Sequence, residues 1–113
     1  MKTYFGFAVA DSMFPVECTI HRKEIGLEAV HLLLDEGVTS CLNPSHRATI
    51  DAMRERFGID VEIPTSPPRV ELGRGDRLVV LGVRGLPRLT DRHEYTPAEI
   101  AGAEFKFSLY EVE

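Results

Sequence analysis

One run of residues constrains the fold more than any other: Leu78-Val79-Val80-Leu81-Gly82-Val83. It carries no polar residue and shows no alternation. A strand with one wet face alternates apolar and polar residues, because successive side chains point to opposite sides of the sheet. A run that is apolar throughout needs cover on both sides, so this segment is expected as a central strand. Gly73-Arg74-Gly75-Asp76 just before it has the chemistry of a tight turn. A chain of 113 residues supports one core and not two, so residues 1–113 are expected to form a single domain.

The other elements are read around that strand. Thr3 to Val9 is rich in aromatic and β-branched residues and reads as a strand. Its small residues Gly6 and Ala8 would let a backbone or a ligand approach closely. Ala10 to Pro15 reads as a turn or short helical loop. Val16 to His21 alternates, with Val16, Cys18 and Ile20 inward, and is expected to pair antiparallel with the first strand. Lys23 to Glu36 places Leu27, Val30, Leu33 and Leu34 at helical spacing, with Gly37 as the stop. His31 falls beside this apolar face and reads as a structural histidine. Val38 to Leu42 is a short strand, and Pro44 to Phe57 a second helix with Ile50, Met53 and Phe57 as its buried stripe. Ile59 to Arg69 is extended and proline-rich, with an edge strand expected around Asp60 to Ile63 and another short strand at Arg69 to Leu72. Gly85 to Tyr95 is a long polar loop, a type often functional within a compact domain. Thr96-Pro97-Ala98-Glu99 is a capping box opening a short helix to about Gly102. Ala103 to Val112 closes the chain as a strand in which Phe105, Phe107 and Leu109 alternate with polar residues. The sum is an α+β fold: a mixed, mainly antiparallel sheet of five or six strands with two longer helices and one short helix. A domain of this size leaves an edge or face of its sheet poorly covered, so a homodimer is expected.

Charge and cysteine usage narrow the function classes. The net charge of −5 argues against duplex DNA as a partner, which would call for a basic face. Ten of the thirteen basic residues are Arg, and Arg74, Arg77, Arg84, Arg88 and Arg92 fall within one twenty-residue window. Arg presents a planar fork matched to phosphate oxygens, so a small anionic ligand in a local pocket fits this pattern; Arg74 and Arg77 read as solvated surface charges. Cys18 and Cys41 lack metal-ligand spacing and read as small, reduced, buried residues. The four histidines form no local metal-binding cluster, and no metal or cofactor is expected. No apolar run approaches the roughly 20 residues that span a bilayer, and no signal peptide opens the chain. The expected location is cytoplasmic, with no membrane partner.

The chemistry is placed at Cys41-Leu42-Asn43-Pro44-Ser45-His46-Arg47-Ala48-Thr49-Ile50. This reads as a strand end running into a helix, with Asn43 as the cap and Pro44 at the first helical position. His46 then falls in the first turn beside Ser45, Arg47 and Thr49. Free N–H groups and the positive end of the helix dipole suit a phosphate there, and a histidine can give it a proton. Taken alone, a surface histidine near a helix cap is commonplace.

Several motifs recur in one order along nearly the whole chain. They are the small-residue strand and turn Tyr4 to Phe14, the step His46-Arg47-Ala48-Thr49-Ile50, the Gly75-Asp76 turn before the apolar strand, Arg88-Leu89-Thr90-Asp91, and the ending Phe107-Ser108-Leu109-Tyr110-Glu111-Val112. Together they resemble the ring nucleases related to the viral type III anti-CRISPR ring nuclease, formerly a domain of unknown function. The resemblance implies a homodimer that binds cyclic tetra-adenylate, a messenger of type III CRISPR defence, in a pocket across the two-fold axis. It implies metal-independent cleavage: a ribose 2′-OH attacks its own phosphodiester and leaves a 2′,3′-cyclic phosphate. His46 stands at the family's general acid, Arg88 at its phosphate-contacting arginine and Asp91 at its acidic place. Where relatives carry polar residues on the first strand and its turn, this chain has Phe7 and Ala10, and Asp11 and Ser12 are the nearest polar substitutes. Two other readings stand beside the enzyme: a homodimer that sequesters a cyclic nucleotide without cutting it, and a structural or regulatory interaction protein.

Overall fold

In a computed structural model of the chain, the structure describes residues 2–66, 68–84, 96, 98–99 and 102–113. The elements are β1 (Thr3–Gly6), a 3₁₀ turn (Asp11–Met13), β2 (Ile20–Ile25), α1 (Leu27–Glu36), β3 (Thr39–Ser40), α2 (Arg47–Phe57), β4 (Arg77–Arg84) and β5 (Glu104–Val112). The five strands form one mixed sheet in the order β2-β5-β4-β1-β3. The fold is the expected α+β arrangement with its two longer helices, while the expected loop at 85–95 and part of the short helix expected at 96–102 lie outside the described residues. The β2, β5 and β4 pairings are antiparallel, and β1 joins β4 and β3 in parallel.

The apolar run lies where its composition requires. β4 is the middle strand, and Leu78, Val79, Val80 and Leu81 are all buried. Val79 and Leu81 face the helices, in a core with Phe5, Val30, Leu33, Met53, Phe107 and Leu109. Leu78 and Val80 face the other way, against Tyr4, Val70, Leu72 and Val112. Burying each such side chain is worth about 1.5–3 kcal/mol. Among the described residues no α-helix packs on the second face. It is covered by two irregular segments, tied together where the Leu72 N–H bonds the Met13 carbonyl at 2.7 Å.

Several boundaries and partners differ from the sequence reading. β1 does not pair with the second strand, because β3 and β4 occupy both its edges. β2 pairs instead with β5, from Ile20 opposite Val112 to Ile25 opposite Phe107. Alternation within a strand tells which face is buried and not which partner it takes. Val16 and Cys18 lie exposed before β2 and Ile20 is exposed at its start, so the inward pattern assigned to all three, and burial of Cys18, are corrected. The first helix opens at Leu27 rather than Lys23, since the β5 ladder draws Lys23-Glu24-Ile25 into β2. Neither Asp60–Ile63 nor Arg69–Leu72 forms a strand. That stretch is held by side chains instead, Ile59, Val70 and Leu72 being buried. Arg77 is not a solvated charge: its side chain is 17% exposed and 3.6 Å from Glu36, and its Nε donates to Thr3 Oγ1 at 3.2 Å.

Local signals with local partners hold. Asp76 N–H bonds the Gly73 carbonyl at 3.0 Å, and Gly75 takes the left-handed φ of 86° that the turn needs. Thr96 and Glu99 form the reciprocal capping box, Thr96 N–H to Glu99 Oε1 at 2.9 Å and Glu99 N–H to Thr96 Oγ1 at 3.2 Å. His31 is structural: its Nε2 donates to the Phe57 carbonyl at 3.0 Å, satisfying a group left over at the end of α2. Gly58 ends α2 in the left-handed conformation.

Candidate functional site

The parallel part of the sheet builds the site. In open sheets, ligands collect beyond the carboxyl ends of parallel strands. Beyond the ends of β1 and β3 lies an open cavity of about 380 Å³. Gly6, Phe7 and Ala8 enter it from the end of β1, Ser12 and Met13 from the 3₁₀ turn, Cys41, Asn43 and His46 from the segment after β3, and Pro68, Arg69 and Val70 from the covering coil. The closeness of β1 to the β3 exit depends on Gly6, since a Cβ there would stand 2.8 Å from Cys41 Sγ.

The His46 segment folds differently from its expected form. Asn43 Oδ1 accepts from the Ser45 N–H at 2.9 Å, and the Asn43 carbonyl accepts from the His46 N–H at 3.0 Å. Asparagine thus closes a turn on its own backbone, and Pro44-Ser45 becomes that turn rather than the first turn of a helix. α2 starts at Arg47 with His46 at the N-cap position, and the His46 carbonyl takes the first helical bond, from Ile50 N–H at 3.0 Å. α2 therefore starts next to the cavity wall, with its N-cap residue His46 on that wall.

His46 and Ser12 line the cavity together. Asp11 opens the 3₁₀ turn and is exposed; Ser45 and Arg47 are exposed and Thr49 half-buried, and none of these four lines the cavity. Arg84 is exposed at the end of β4, in register with Glu104. Arg88 and Asp91 lie outside the described residues. Phe7 was marked only as a departure from the polar residues of relatives and Asn43 only as a cap, and sequence reasoning gave no site role to Met13, Pro68, Arg69 or Val70, which also line the cavity. Arg69 is distant in sequence from His46, and no local pattern marks it.

The chemistry of the wall is that of an anion site with a potential proton donor. The Arg69 Nε is 3.3 Å from Glu71 Oε1, but both side chains are largely exposed, at 80% and 71%. Such a surface pair contributes little and leaves the guanidinium able to take a phosphate. Burial pushes the Cys41 thiol up, and its Sγ donates to the Phe5 carbonyl at 3.1 Å, both of which favour the protonated thiol over the reactive thiolate. A larger cavity of about 650 Å³ runs along β3, where Asp60 and Glu62 line it and no basic side chain does among the described residues. The smaller cavity, whose wall holds an imidazole and a guanidinium, is the candidate site. Among the described residues no group of three or more His, Cys, Asp or Glu could hold a metal ion, and no helix is long and apolar enough to cross a membrane.

No protein-family model matches the sequence. No curated protein matches it either. Among solved structures the chain is similar to B116 of Sulfolobus turreted icosahedral virus (STIV), with a TM-score of 0.70 and 18% identity over 98% of this chain and 99% of that one. At that identity the likeness shows one shared fold, nearly end to end, with a viral protein.

Proposed function

We propose that this protein is a metal-independent ring nuclease that acts as a homodimer on cyclic oligoadenylate, with cyclic tetra-adenylate as the preferred ring. The observation that carries the reading is the position of His46. It stands on the wall of the cavity beyond the parallel strands, at the mouth of α2, with Arg69, Asn43 and Ser12 on the same wall. A guanidinium, a helix mouth and an imidazole around one space suit a phosphodiester and a proton transfer to it.

In the proposed step a ribose 2′-OH gives its proton to water as its oxygen attacks the adjacent phosphorus. The bond from phosphorus to the 5′-oxygen breaks, and the His46 imidazolium gives its proton to that departing oxygen. The products are linear, with a 2′,3′-cyclic phosphate at one end and a 5′-hydroxyl at the other. The protein's main contribution is to hold the attacking and leaving oxygens in line, an effect that alone supplies several orders of magnitude. The resemblance adds Arg88 as a phosphate contact and Asp91 at the acidic place. Cavity size supports the dimer: about 380 Å³ sits at the low end of the ~300–1,000 Å³ that holds a drug-sized ligand. That is room for only part of a four-nucleotide ring, so the ring has to extend beyond one copy of the site.

The test is incubation with cyclic oligoadenylates of several ring sizes, with and without EDTA, and chromatography of the products. Linear products unaffected by chelator are expected, and His46→Ala should slow their formation by about a hundredfold or more, the low end of a general acid's share. Tight binding with the ring intact after long incubation would assign the same cavity to sequestration instead.

A further inference from the structure

His46 has a fixed backbone and an unusual arrangement around its ring. Its N–H and carbonyl are both hydrogen-bonded, to Asn43 and Ile50. The hydrogen bonds to histidine rings among the described residues, however, belong to His21 and His31. A working imidazole is ordinarily oriented through its far nitrogen, by a carboxylate or a backbone carbonyl. For His46 the contact that orients the ring is another ring: the Phe7 centroid lies 5.8 Å away, with the planes tilted by 38°. Tilted contacts at this separation are attractive between aromatic rings. Phe7 is itself anchored, being half-buried against the helix-side core. Gly6 and Ala8 flank it, so its ring is the one bulky group that the end of β1 brings to the cavity.

We propose that Phe7 is the positioning residue for His46: its core-anchored ring sets the plane of the imidazole and leaves both nitrogens to the ligand. The kinetic part of this inference rests on the ring-nuclease reading; the geometric part does not.

Two variants separate the outcomes. Phe7→Leu keeps an apolar side chain and removes the ring, whereas Phe7→Tyr keeps the ring. In the free protein, the His46 imidazole C–H resonances, assigned by their loss in His46→Ala, carry a ring-current displacement from Phe7. They are expected to move to positions typical of an unstacked histidine in Phe7→Leu and to stay displaced in Phe7→Tyr. Resonances that do not move in Phe7→Leu overturn the proposal, whatever the enzyme does. With cyclic tetra-adenylate, Phe7→Leu is expected to lower kcat about tenfold at a KM within about twofold, since catalysis is sensitive to misplacements on the order of 1 Å. Phe7→Tyr should restore most of that loss. A raised KM at unchanged kcat overturns the proposal, because Phe7 would then only bind. Should the unmodified protein cleave no cyclic oligoadenylate, the nuclease reading fails by itself and the imidazole spectra decide the role of Phe7.

Discussion

The approach of β1 to the β3 exit can be tested through Gly6 and Cys41. A methyl group at position 6 would sit 2.8 Å from Cys41 Sγ, inside any tolerable carbon–sulfur contact. The thiol can swing away only by giving up its bond to the Phe5 carbonyl at 3.1 Å. Overpacking of this kind costs about 1–3 kcal/mol. Replacing glycine within a strand regains roughly 0.5–1 kcal/mol of backbone entropy. Gly6→Ala should therefore lose about 1 kcal/mol net, or ~4 °C in Tm for a domain of this size. Cys41→Ala removes a weak hydrogen bond and a half-buried sulfur, for a loss of about 1 kcal/mol. Independent effects would add to ~2 kcal/mol in the double variant. The contact predicts otherwise, since without the sulfur the new methyl has room. Gly6→Ala/Cys41→Ala should be no less stable than Cys41→Ala alone, a coupling of about 1 kcal/mol. Thermal and urea unfolding of the four proteins measure it. A double variant that loses the full sum would show that Gly6 is small for some reason other than Cys41.

Other outcomes follow from the packing and the turn. Met53 is fully buried in the helix-side core, and Met53→Ala should cost about 2–5 kcal/mol in urea unfolding with an unchanged slope. A loss within ~0.5 kcal/mol, as for a surface position, would remove α2 from the core. Asp76 accepts the N–H groups of Gly73 and Lys2, which hold its carboxyl below the ordinary value of 3.8. Its folded-state value being depressed, the stabilisation is present above the unfolded value and is lost as pH falls through the folded one. Asp76→Asn should thus be less stable than the parent at neutral pH, and the gap should close as pH falls below 3.8. An equal gap at both ends of that range would separate the turn's stability from the carboxylate charge.

What could be read from the chain depended on how far apart the interacting residues lie. The turn at Gly73–Asp76 and the Thr96–Glu99 capping box each have partners within a few residues, and each formed as read. The central place of β4 was legible because an apolar run leaves it no wet face. Asn43 marks the limit of local reading, since its side chain could cap a helix or close a turn on its own backbone. It does the second, and His46 moves from the first helical turn to the N-cap position. At the site, His46 and Ser12 were singled out and share a wall, and Phe7 stood out as a departure from relatives, whereas Arg69 carried no sequence signal.

The sequence by itself determined that this is an α+β domain built on one fully covered strand, because hydrophobic period and turn chemistry are properties of neighbouring residues. Tertiary structure alone decided that β2 crosses to the far edge to join β5, that Lys23–Ile25 is strand and not helix, and that the end of β1, the 3₁₀ turn and the coil around Arg69 meet at His46. Those choices belong to long-range hydrogen bonding and side-chain contact, in which each segment takes the partner that leaves the fewest buried groups unmatched.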